Sequence, residues 1–219
     1  LNIGLDLYND HEIQFTGLIT RSSEKEARQV VGTTEEDAGV FRDDALEFFE
    51  RQLWTTQIRG KHVFPDLLNL ELEWRGSYSE ALRDAPYQLF NRYRQLSDGS
   101  YTLQGSPAAN RFLFSRVDDD TTDFGFDFTL PLEIGGSDCT YFCDVELKTG
   151  YAYVENDRVA SSRQFDISGV GNNLIPQGTR LDYIYSYIFN GGGGSVSETG
   201  SVIFPQAYRA TLEIDAAYV

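Results

Sequence analysis

The chain has 219 residues, of which 34 are Asp or Glu and 18 Lys or Arg, giving a net charge of −16. That balance excludes nucleic acid as a partner, because phosphate recognition needs clustered Lys and Arg. Hydrophobic residues make up 41% and aromatics 14%, yet they are never gathered into the roughly 20 consecutive apolar positions of a transmembrane helix; a membrane β-barrel passes that test, since only alternate residues meet lipid.

Seven strands are predicted from alternation of apolar and polar residues, which sends successive side chains to opposite faces. The first is Leu1–Tyr8, closed by a tight turn at Asn9-Asp10. The second is His11–Arg21, with Ile13, Phe15, Gly17 and Ile19 on one face and Gln14 and Thr16 on the other. The acidic stretch Ser22–Asp44 reads as a solvated loop, with a short helix capped by Thr34 as the alternative. The third strand, Glu47–Val63, ends at Phe64-Pro65-Asp66, and the fourth is Leu68–Leu82. Pro86 marks departure into a long connection, in which Asn91–Leu96 and Ser100–Leu103 flank Ser97-Asp98-Gly99 as a small hairpin.

The fifth strand, Arg111–Leu132, contains the clearest pattern in the chain: Phe124, Phe126, Phe128, Leu130 and Leu132 against Asp123, Gly125, Asp127 and Thr129. A turn at Ile134–Asp138 leads to the sixth, Thr140–Glu155, and a long polar region containing Gly191–Gly194 leads to the seventh, Gln206–Val219. Cys139 and Cys143 are about 13 Å apart if one extended strand carries both, beyond the roughly 7 Å a disulfide spans; a turn between them would allow the bridge.

Connections near residues 9, 66 and 136 are tight, and those near 22–45, 83–110 and 158–204 are long. Strands well above the usual five or six residues, with short turns at one end and long loops at the other, have the layout of an outer-membrane barrel. On this reading Glu71, Glu73, Arg75, Asp123, Asp127, Glu146, Lys148, Arg209, Glu213 and Asp215 face a watery lumen, because a Lys or Arg facing lipid at the midplane costs roughly 2–4 kcal/mol. Leu132 is expected nearest the periplasmic turn.

The segments Arg51–Phe64, Leu70–Ser79 with Arg83–Pro86, and Asp118–Asp120 with Phe124–Leu132 and then Leu147–Gly150 resemble the paired strands and turns of TonB-dependent outer-membrane receptors. The resemblance implies an all-β, antiparallel barrel of about 22 strands with a plugged lumen, so seven strands are expected to be a middle portion of it. It also implies bacterial outer-membrane localisation in a Gram-negative cell, and energy-coupled uptake of a scarce nutrient of siderophore, vitamin or oligosaccharide class. The implied partners are outer-membrane lipid, the rest of the barrel and its plug, TonB through an upstream segment, and a small-molecule ligand. No cofactor or metal is implied.

Tyr87, Phe90, Arg92, Tyr93, Arg94 and Tyr101, placed in the loop 83–110, are the candidate ligand contacts: the rings for stacking and the guanidinium groups for anions. Packing of the loop on itself is the competing use for them. Asp118-Asp119-Asp120 has the oxygen donors of a hard-cation site, but alternation turns Asp119 away from its neighbours, and solvated charge at a strand end is preferred. No G-x-S-x-G, H-E-x-x-H or P-loop occurs, and the two histidines, His11 and His62, are distant in sequence, so an enzyme is not expected. A passive porin and a soluble β-rich binding module are the alternatives to active uptake.

Overall fold

A computed structural model describes residues 1–8, 10–33, 39–106, 109–133, 144–168, 179–190, 194–199 and 206–219. The strands are β1 (Asn2–Leu7), β2 (His11–Thr33), β3 (Val40–Phe64), β4 (Leu70–Gln95), β5 (Tyr101–Leu103), β6 (Asn110–Glu133), β7 (Asp144–Ser168), β8 (Ser195–Thr199) and β9 (Ala207–Tyr218), with one helix, α1 (Leu181–Phe189). All strands belong to one antiparallel sheet in the order β1-β2-β3-β4-β6-β7-β8, with β5 also on β4 and β9 also on β7. β8 pairs with residues 164–168 of β7 and β9 with residues 150–161, so these two short strands share one position. β5 likewise occupies the position that β6 takes over further along β4. The sheet therefore has seven strand positions, as the alternation predicts, and among the described residues it does not close.

Register assigns the faces. Opposed residues share a face, and the rows His11↔His62↔Leu72↔Phe128↔Thr149 and Ile13↔Gly60↔Trp74↔Phe126↔Tyr151 define an apolar face. The row Glu12↔Lys61↔Glu73↔Asp127↔Gly150 lies on the opposite, charged face. Close contact reinforces the register: a side chain at Gly60 would overlap the Trp74 indole, and one at Gly150 would overlap Asp127 and Tyr218.

The turns follow local chemistry. Pro65–Leu67 forms a single 3₁₀ turn, and Leu68 and Asn69 adopt left-handed φ values of 60° and 57° to reverse the chain. In the small hairpin, Gly99 takes φ 85°, and Asp98 Oδ1 accepts from the Ser100 amide at 2.9 Å and its hydroxyl at 2.6 Å. The hairpin expected around Ser97–Gly99 is present, with Tyr93–Gln95 paired to Tyr101–Leu103.

The long loops differ most from expectation. Residues 22–33 and 40–45 are paired strand, as are 83–95 and 158–168. Pro86 does not end β4. Phe48 opposes Tyr87 and Glu50 opposes Asp84, so a bulge accommodates the proline, which has no N–H to give a ladder and is tolerated where pairing is interrupted. The region 158–204 also contains α1, which sequence alternation did not reveal. The Thr34–Asp37 cap, the turn at Ile134–Asp138, Cys139 with Cys143, and Gly191–Gly193 lie outside the described residues.

The buried core is at the end of the sheet remote from the tight turns. Leu89, Tyr93, Leu103 and Ile167 pack with Ile184 and Tyr185 of α1 on the apolar face, flanked by Leu46, Tyr87, Tyr101 and Phe112. Tyr185 lies 4.0 Å from Phe112, ring centre to ring centre, and its hydroxyl donates to Asn91 Oδ1. Burial pushes its pKa well up, so the hydroxyl stays a donor.

Candidate functional site

Nearest the tight turns, the charged face is a lattice of ion pairs built across neighbouring strands. Lys61 on β3 contacts both Glu71 and Glu73 on β4, the latter at 3.0 Å. Arg75 on β4 reaches Asp123 at 3.4 Å and Asp127 at 3.7 Å on β6. Its guanidinium passes over Gly125, where a side chain would crowd it at 3.1 Å. Lys148 pairs with Glu146 along β7 at 3.1 Å. Strand geometry makes this possible, since same-face neighbours on adjacent strands are about 5 Å apart. The charges stay substantially wet: Lys61 and Arg75 side chains are 48% and 44% exposed, so each pair contributes at most about 1 kcal/mol.

A groove of about 320 Å³ follows this lattice, lined by Glu12, Arg59, Lys61, Glu73, Arg75 and Asp127. Further along the same face a second groove, of about 450 Å³, is lined by Thr20, Arg51, Arg83, Val117 and Asp119. Asp119 is held by Arg158 and Asn156. Burial raises its pKa, but these donors outweigh that and leave it below the usual carboxylate range. The triplet Asp118-Asp119-Asp120 is split by the pleat: Arg116 grips Asp118 at 2.8 and 2.9 Å on one face, while Asp119 bonds Arg158 on the other.

Seven of the ten residues expected to share a wet face do so: Glu71, Glu73, Arg75, Asp123, Asp127, Glu146 and Lys148. Arg209, Glu213 and Asp215 do not. β9 pairs Asp215 with Tyr153, Glu213 with Glu155 and Arg209 with Val159, placing all three on the apolar face. The bonds Tyr151 Oη to Asp215 (2.5 Å) and Tyr218 Oη to Asp127 (2.6 Å) belong to that register. A one-residue offset exchanges every side chain between faces, and β9 has only one described neighbour, β7, to fix its register.

The six candidate ligand contacts are strand and hairpin residues rather than a loop. Tyr87, Tyr93 and Tyr101 lie on the apolar face, and Phe90, Arg92 and Arg94 on the other. Their partners are mostly structural. Tyr93 is 4% exposed, Phe48 stacks on Tyr87 with ring centres 6.0 Å apart, and Arg42 covers Tyr93 and Tyr101 at 4.3 and 5.1 Å. Arg92 makes a bidentate pair with Asp43 at 2.7 and 2.8 Å and lies over Phe41, and Arg111 lies over Phe90 at 4.8 Å. The register brings no common pocket to all six.

The two histidines, distant in sequence, are direct cross-strand partners. Their Nδ1 atoms are 3.1 Å apart, and Trp74 Nε1 donates to His62 Nε2 at 2.9 Å. That donation makes His62 Nε2 an acceptor, so the His62 proton sits on Nδ1 and is given to His11. The apolar-face neighbours Leu7, Ile13, Phe64, Leu72 and Trp74 carry no charge. Among the described residues no group of three or more metal-ligating side chains assembles. Comparison with models of protein families, with curated proteins and with solved structures finds no match.

Proposed function

We propose that this chain is part of the wall of an outer-membrane β-barrel that serves energy-coupled uptake of a scarce nutrient. The observation that carries the reading is the apolar face itself. On β6 its apolar stretch runs from Thr122 to Leu132, about 34 Å along the strand at 3.4 Å per residue. Tilted by about 40°, that is a band of about 25 Å, the height of the lipid-facing belt of such barrels.

The band crosses neighbouring strands as Ile3, Phe15, Ile58, Phe124 and Leu147, which are 37–54% exposed. Patches of this extent mark contact with a partner or membrane. Above it the same face turns charged on β4, β6 and β7, with Glu80, Asp120 and Asp157 in one cross-strand row; on β9 the register also sets Asp215 on this face, level with Phe124. The opposite face carries charge down to the tight turns, which suits a lumen.

In this reading the tight turns are periplasmic, the extended strand ends with α1 are extracellular, and further strands and a plug complete the barrel. The chain performs no covalent chemistry: TonB, contacting an upstream segment, moves the plug and releases a ligand of siderophore, vitamin or oligosaccharide class. Detergent partitioning with heat-modifiable migration is the expected behaviour, and full recovery in a detergent-free aqueous extract overturns the membrane reading. Loss of ligand uptake on deleting TonB is expected; unaltered uptake assigns a passive pore instead.

A further inference from the structure

Beyond the apolar belt, the same face of the sheet holds a trough of about 870 Å³ that the uptake reading does not use. Leu46, Tyr87, Leu89 and Phe112 floor it from three adjacent strands, Tyr185 of α1 walls one side, and Lys25 of β2 stands on the opposite rim. Size and lining match a small-molecule site, concave and mostly apolar with a few polar groups at its edge. The ring faces are fixed: Tyr87 is stacked on Phe48, and Tyr185 is wedged on Phe112 and tied to Asn91.

Charge at the rim narrows the occupant. Asp44 is occupied by Gln29 at 2.9 Å and Arg42 at 3.1 Å. Asp182 accepts from Arg180 Nε at 3.1 Å and Nη2 at 2.6 Å. Lys25 has no carboxylate within ion-pair distance among the described residues, and its register partner is Phe48. The rim thus offers an unneutralised ammonium above an aromatic floor.

We infer that this trough binds a flat, amphipathic aromatic acid, its ring against Tyr87, Phe112 and Tyr185 and its carboxylate toward Lys25. The site is separate from the charged face, so it stands whether or not the barrel imports a nutrient.

The test uses the full chain folded in amphipol, with 2-naphthoate and its neutral isostere 2-naphthamide as probes in equilibrium dialysis. Saturable binding of naphthoate is expected at one molecule per chain. Ala27→Trp and Ser186→Trp, each at an exposed position lining the trough, are expected to abolish binding of both probes. Lys25→Gln is expected to weaken naphthoate about three- to fivefold, the scale of an exposed ion pair, and to leave naphthamide unchanged. Two blocking variants on opposite walls guard against one failing to fold, with circular dichroism as the check on each. The inference is overturned if the native chain binds neither probe, if both folded tryptophan variants bind as the native chain does, or if Lys25→Gln affects the two probes equally.

Discussion

Phe126 lies within two residues of the middle of the proposed belt, between Thr122 and Leu132, and tests what covers the apolar face. Its ring has three aromatic neighbours: Phe124, Phe128 and Tyr151, at 6.1, 5.7 and 5.9 Å. At the lower end of about 0.5 kcal/mol for each pair, any non-aromatic replacement loses about 1.5 kcal/mol, whatever lies beyond the face. Phe126→Leu measures that common loss. Phe126→Arg adds the cost of a guanidinium at the bilayer midplane, about 2–4 kcal/mol, and at a water-exposed face would add only about 0.5 kcal/mol. The difference between the two variants, from reversible urea unfolding in lipid vesicles, is therefore the informative quantity. Asp120→Arg, on the same face above the belt, should differ from the native chain by no more than about 1 kcal/mol. A Phe126→Arg minus Phe126→Leu difference below 1 kcal/mol would refute lipid contact at this face.

The β9 register is testable by cross-linking. Ala152 and Ala216 are direct partners, about 4.5–5.5 Å apart at Cα in such pairs and so within disulfide reach; with Cys139 and Cys143 replaced by Ser, Ala152→Cys/Ala216→Cys should oxidise readily, and preferential oxidation of Ala152→Cys/Ala217→Cys would show a slipped strand. Acid should loosen the extended strand ends. Hydrogen bonds from Arg209, Arg163 and Arg116 hold Asp157, Glu198 and Asp118 below the usual carboxylate range, so their stabilisation is intact above a pH of about 4 and is lost as pH falls through their lower folded values. Amide exchange in β8 and in residues 207–211 should stay flat from pH 7 to about 5, after correction for intrinsic rates, and accelerate below about 4; protection unchanged at pH 3 would deny these pairs a role. His62→Phe leaves the Trp74 indole N–H without its acceptor, an expected cost of about 1–3 kcal/mol in urea unfolding, with a shift in Trp74 emission read in a Trp54→Phe background; an unchanged midpoint would mean the Trp74–His62 bond contributes nothing.

What was legible in the sequence follows from where the two faces meet different surroundings. From β1 to β7, between the tight turns and about Thr122, one face is apolar and the other charged, and alternation places β6 to within a residue at either end. Beyond that row both faces carry polar residues: β2 continues as Ser22–Thr33 with Lys25 and Gln29 on the apolar-face side. There pairing persists without alternation, so these segments looked like loops. Helix α1 was hidden for the opposite reason. Leu181–Phe189 is dominated by large apolar and aromatic residues, a run in which a period-two search finds nothing, although its length of more than two helical turns was a usable signal. The histidine pair could be found only once a register set His11 against His62. On β9 the alternation is plain in the sequence, but pairing with β7 decides which half of it faces which side.

The bulge at Pro86 gives β4 two reading frames in one strand. Below it the even-numbered residues Leu72, Trp74 and Tyr78 share the face of Phe126; above it the odd-numbered Leu89, Asn91 and Tyr93 do. The inserted position thus acts as a phase shift, letting one strand satisfy the belt at one end and the α1 core at the other with residues of opposite parity. Deleting a single residue there would remove the bulge and restore one parity along the whole strand, so the lower half stays in place while Leu89 and Tyr93 keep Leu46 and Arg42 opposite them in the core. A deletion scan along β4 should accordingly find its best-tolerated positions at residues 85–87, where the extra residue lies, and lose the fold where a one-residue change exchanges the two faces.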